Sequence, residues 1–284
     1  MGRVRHGQQS SAEVTDVLRA GFTIIETMVV IAVTGVLFVA IVGTISSRQS
    51  KVQFNQAINQ VKGQLEGVIN EVASGRFPDQ KIYGCNTPTG GPSGNLQIDE
   101  GSPRDQGTNK DCIFIGKILQ FGTGYGDSPE KYAVYPVAGY RGATRLDNSY
   151  AMPLEKLKEL ITLTNGLSAK WVKYGPGAPH AGTTIGALGI FVHLSGEDMD
   201  GDGAAEAVGS QSVEVRPIMF TYMNEDNSIN NVKLQARYAP HTPNGVHICF
   251  KSGSTNQSGL ITLGGSKAGT SAVALEIKQN TDCI

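Results

Sequence analysis

Hydrophobic and polar positions change their period twice along the chain. From Phe22 to Val42, in "FTIIETMVVIAVTGVLFVAIV", 21 residues carry a single charge, Glu26. A helix of that length spans about 31 Å, roughly the hydrocarbon thickness of a bilayer. A new pattern follows, with Phe54, Ile58, Val61, Leu65, Val68 and Val72 recurring in steps of four and three, and Gln56, Asn59, Lys62, Gln64, Glu66 and Asn70 between them. Such spacing lays an apolar stripe along one face of a helix. No proline separates the two patterns, so they predict one helix from Phe22 to Ala73, lipid-embedded in its first half and amphipathic in its second. Ser74–Gly75 and Pro78 supply its stop.

Beyond that point short alternating runs are broken by glycine, proline and asparagine. Segments 112–121, 131–140, 187–194, 212–223, 230–239, 245–250, 259–264 and 272–278 read as strands. "PLEKLKELITL" at 153–163 reads as a helix, with Leu154, Leu157, Leu160 and Ile161 on one side, and 84–111 reads as a long polar loop. The expected fold class is α+β: a long N-terminal α-helix, transmembrane then amphipathic, packed on a C-terminal antiparallel β-sheet domain. The expected organisation is an N-terminal leader at 1–21, the helix at 22–75 with its membrane span at 22–42, and a β-rich globular domain at 76–284.

Charge narrows the function. The chain of 284 residues has a formal net charge of −1 and is 17% charged, so neither a nucleic-acid footprint nor wholesale disorder is expected. Arg3, Arg5 and Arg19 outnumber Glu13 and Asp16 before the span, which orients that end toward the cytoplasm. An acid at mid-membrane costs about 2.5–3.5 kcal/mol even on the gentler scales, and its default reading is functional, with a partner. A cut between Gly21 and Phe22 would create such a partner. Phe22 would then carry a free amine, Glu26 would lie about one helical turn along, and the amine of one helix could meet the carboxylate of another.

"GFTIIE" followed by an unbroken apolar run resembles the class III leader and N-terminal helix of type IV pilins and type II secretion pseudopilins. The resemblance covers about positions 19 to 75, a fifth of the chain. It departs from the pattern at Ala20, where a basic residue often precedes the glycine; Arg19 lies one place further back. It implies that a prepilin peptidase cleaves after Gly21 and methylates Phe22, and that Glu26 assists subunit docking. It also implies a structural subunit of an extracellular filament, with no enzymatic activity, held first in the cytoplasmic membrane with its N-terminus inside. Implied partners are other pilin subunits, the peptidase and an inner-membrane assembly platform. The motor would be a separate ATPase, because no phosphate-loop motif is present: "GGSK" at 264–267 lacks the spacing. "VHICFKSGSTNQSGLITLGG" is similar to the C-terminal sheet of H-type minor pseudopilins, which points toward a minor or tip-associated subunit, and a secretion pseudopilin of that type is the nearest alternative.

Two further groups carry candidate chemistry. Asp198, Asp200 and Asp202 alternate before Gly203, with Glu206 following. Hard oxygens on alternate positions around a glycine bend suit calcium, with the Ala204 carbonyl joining the shell; Gly209 stands where an EF-hand would need glutamate. A membrane-anchored calcium-dependent binding domain is therefore a further alternative. The four cysteines, Cys85, Cys112, Cys249 and Cys283, suit disulfides outside the cytoplasm. Cys85 with Cys112 would close the polar loop and Cys249 with Cys283 would tie down the C-terminal tail, although four cysteines allow three pairings. His247, beside Cys249, reads as a packed or exposed histidine, and Trp171 as a core aromatic.

Overall fold

In the computed structural model, the described residues are 22–75, 83–86, 97–100, 112–122, 128–140, 151–175, 178–192, 213–220, 236–238, 244–264, 273–280 and 282–283. The chain divides into two units, Met1–Ser47 and Arg48–Ile284. Helix α1 runs from Ile24 to Ala73. Its last turn closes on Gly75, whose φ of +63° suits a residue without a Cβ. The Gly75 amide donates to the Val72 carbonyl at 2.9 Å and the Ser74 amide to Asn70 at 2.9 Å, so freed carbonyls of the helix end find donors.

The other described elements are strands and one 3₁₀ turn. β1 (Tyr83–Asn86) and β2 (Gln97–Glu100) pair as a separate two-stranded sheet. A seven-stranded sheet contains β3 (Cys112–Phe121), β4 (Lys131–Tyr140), β5 (Ala151–Pro153), β6 (Glu159–Thr162), β9 (Ala187–Val192), β10 (Val213–Phe220) and β11 (Ala236–Tyr238). Its order is β11-β10-β9-β3-β4-β5, with β6 also on β4. A five-stranded sheet contains β7 (Leu167–Tyr174), β8 (Thr183–Ile185), β12 (Val246–Ser252), β13 (Ser258–Leu263) and β14 (Val273–Lys278), in the order β14-β13-β12-β7-β8. Every pairing among the described residues is antiparallel. The class is therefore α+β, with one long N-terminal helix.

Within the second unit, one core joins the helix to both sheets. The stripe Phe54, Ile58, Val61, Leu65, Val68 and Val72 is buried, together with Ala57 and Ile69. It shares its cluster with Phe114, Leu119 and Phe121 from the larger sheet and with Ile248, Phe250 and Ile261 from the smaller. Phe121 stacks on Tyr132 at 5.2 Å and meets Phe250 edge-on at 6.2 Å, which couples the two sheets. The opposite face of β3 feeds a second cluster through Ile115 and Ile118. A bulge between Phe114 and Gly116 shifts the alternation between these faces. Gly116 is needed there, because a Cβ would collide with the Ile190 carbonyl and the Phe191 ring.

Polar groups also fix the helix. Lys117 on β3 is buried and pairs with Glu71. The Tyr132 hydroxyl donates to Gln64 Oε1 at 3.0 Å, and Thr164 Oγ1 to Gln60 Oε1 at 3.1 Å. Burial, helped by Glu159, raises the Tyr132 phenol well above its usual range, so it remains a donor at any ordinary pH.

Two sequence expectations fail. The segment 153–163 is not a helix: Pro153 ends β5, Glu155–Leu157 is a 3₁₀ turn, and Glu159–Thr162 forms β6. Pairing with β4, from Lys131 opposite Thr162 to Val134 opposite Glu159, overrides the helical spacing. The Leu154 amide donates to Pro136 at 2.8 Å, outside any helical ladder. The polar segment 84–111 is also not loop throughout, since β1 and β2 pair within it. Strands β7 and β8 were not foreseen.

Candidate functional site

The first turn of α1 contains the only acid of the apolar run. Thr23 is the last residue before the helix and occupies its N-cap. The Glu26 amide donates to Thr23 Oγ1 at 3.2 Å. In return Glu26 Oε2 accepts from the Thr23 amide at 3.2 Å and from its hydroxyl at 3.3 Å. This is a capping box, in which the side chains of residues N-cap and N3 each satisfy the other's amide. It points the carboxylate back toward the helix N-terminus, where the macrodipole also favours negative charge. The pattern Thr-x-x-Glu was present in the sequence at 23–26, yet the role of Thr23 went unnoticed there.

The rest of the segment conceals its polarity. Thr27 Oγ1 donates to the Ile24 carbonyl at 2.8 Å, and Thr34 Oγ1 to Val30 at 2.7 Å. Hydroxyls folded back in this way leave methyl groups outward. Every residue from 22 to 43 is exposed, with Phe22 at 79% and Val36 at 72%. Apolar surface on this scale, unbroken around a helix, is not tolerated in water and fits a lipid or protein environment. α1 is one helix long and apolar enough to cross a membrane.

The remaining candidates distribute as follows. Gly21 and the calcium-loop residues Asp198, Asp200, Asp202, Ala204 and Glu206 lie outside the described residues. Among the described residues, no group of histidine, cysteine and acidic side chains is arranged to hold a metal ion. Cys249 and Cys283 form a disulfide across 34 residues, buried with Trp171 and Leu260. The Cys283 amide donates to Ser258 Oγ at 3.1 Å, and Lys170 pairs with Asp282, so the C-terminal tail is fastened to the smaller sheet at several points. Cys85 lies on β1 and Cys112 begins β3; their side chains are outside the described set.

Fold and site together define an α+β protein with one helix able to span a membrane and a β-rich unit whose tail is bound by a disulfide. Compared with protein families, with curated proteins and with solved structures, the chain matches none.

Proposed function

We propose that this chain is a type IV pilin-like structural subunit. It is held in the cytoplasmic membrane by α1, cut after Gly21, methylated on Phe22, and packed helix against helix into an extracellular filament. The observation that carries the reading is the carboxylate of Glu26, fixed by Thr23 at the head of an otherwise apolar, exposed helix. Cleavage would release an amine on Phe22. A neighbouring helix offset along its axis would bring that amine to the carboxylate, and each would neutralise a charge that lipid disfavours. A secretion pseudopilin uses the same chemistry and differs in where the filament ends; recovery from sheared surface filaments or from the envelope separates the two. Mass spectrometry of the native N-terminus tests the central claim. A methylated Phe22 is the expected result, and an intact 1–21 segment on assembled or mature protein refutes it.

A further inference from the structure

Strand β12 is the middle strand of the five-stranded sheet, and His247 lies on it, buried, at 8% exposure. Its Nδ1 is 3.0 Å from Thr262 Oγ1 on β13. Its Nε2 is buried and has no hydrogen-bond partner among the described residues. On the other side, His247 is directly opposite Lys173 of β7. Cross-strand neighbours of this kind hold their Cβ atoms about 4.5–5.5 Å apart. The Lys173 ammonium is held by other groups: it lies 4.7 Å from the Trp171 ring centroid and reaches the Pro179 and His180 carbonyls at 3.4 Å.

We propose that His247 makes the five-stranded sheet acid-sensitive: the sheet holds firmly only while this imidazole is neutral. A neutral ring can leave one nitrogen bare, whereas a protonated ring has two donors. Protonation would bury an N–H at Nε2 with no acceptor among the described residues and place a charge where burial disfavours it. No described carboxylate compensates. Thr262 faces the ring from β13, Glu276 on β14 is opposite Leu260 and pairs with Lys278, and Asp282 is taken by Lys170. On β12 itself the nearest charge is another cation, Lys251.

Burial lowers the affinity of His247 for a proton, and the backbone of Asn244 offsets this only in part. An unfolded histidine titrates near pH ~6.5. The folded state therefore binds fewer protons between its own depressed value and about 6.5, and stability is complete above that window and falls as pH drops through it.

The full chain in detergent micelles, unfolded with urea at pH 7.5 and at pH 5.0, tests this. Trp171 is the only tryptophan and shares a cluster with the Cys249–Cys283 disulfide, so its fluorescence reports this sheet. The folding constant of wild type is expected to fall about tenfold more than that of His247→Gln between the two pH values. Equal losses in wild type and His247→Gln overturn the proposal. Should His247→Gln fail to fold, proton NMR of the wild-type imidazole decides: a midpoint below 6.5 supports the proposal, and one at or above 6.5 overturns it.

Discussion

Glu26 has two separable duties, and three substitutions divide them. As a cap it accepts hydrogen bonds from the amide and hydroxyl of Thr23, while Thr23 accepts from its amide. As a charge it is the proposed partner of a neighbour's amine. Thr23→Ala removes the cap and keeps the charge. Glu26→Gln keeps an oxygen at the N3 position, and with it the cap, but discards the charge. Glu26→Ala loses both. Losing a helix cap costs about 1 kcal/mol, which is roughly a fivefold change in an equilibrium. Leaving a neighbour's ammonium unpaired in lipid costs about 2.5–3.5 kcal/mol on the insertion scales, roughly a hundredfold or more for each subunit contact. The expected order of filament yield is therefore wild type, then Thr23→Ala reduced several-fold, then Glu26→Gln and Glu26→Ala both near zero. The assay is an immunoblot of sheared filaments against the membrane pool, with equal cleavage confirmed by mass. Normal filaments from Glu26→Gln, or a defect in Thr23→Ala as deep as in Glu26→Gln, would reduce Glu26 to a helix cap and remove the charge from the mechanism.

Three further outcomes follow from the packing of the second unit. Leu65 is fully buried between helix and sheets, and Leu65→Ala is expected to cost about 2–5 kcal/mol, read as a lowered urea midpoint. Lys117 is buried while its partner Glu71 is 60% exposed at the side chain. Glu71→Ala should therefore cost about 1–3 kcal/mol, less than a wholly buried pair because water screens the carboxylate. Lys117→Met, which removes the buried charge itself, should be close to neutral in the same urea titration. Cys283→Ser opens a 34-residue loop in the unfolded chain and should cost about 4 kcal/mol in the chain-entropy treatment, measured by thermal melting with and without reductant. In wild type, reductant should produce at least that loss.

Local patterns were legible where local forces decide. The i, i+3, i+4 stripe from Phe54 to Val72 needs no knowledge of the sheets to be read as a buried face, and it is buried. Alternation located β3 and β4 at their observed bounds. The misreading of 153–163 arose where a long-range pairing competes with local propensity. Leu154, Leu157, Leu160 and Ile161 satisfy helical spacing, but β4 offers an edge with free backbone groups, and Lys131–Val134 takes 159–162 as its partner. Leu160 remains 47% exposed in the result, although the helical reading counted it among the apolar positions of one face. β7 was overlooked for a related reason. "LSAKWVKY" carries two lysines within a strand that is otherwise largely buried, and its bulge opposite Cys249/Phe250 breaks the alternation that would have revealed it.

The same distinction governs the site. Glu26 stands out in sequence because a charge in an apolar run is improbable on energetic grounds, and Thr23 three residues earlier completes a motif whose partners are set by helix geometry alone. His247 had no such signal. Its neighbours across the sheet, Thr262 on one side and Lys173 on the other, 74 positions earlier in the chain, are brought opposite it only by antiparallel registers. A residue's place in a helix can be counted along the sequence, while its neighbour across a sheet depends on which strands pair and where bulges fall. The groups whose chemistry depends on sheet neighbours therefore had to be read from the pairing itself.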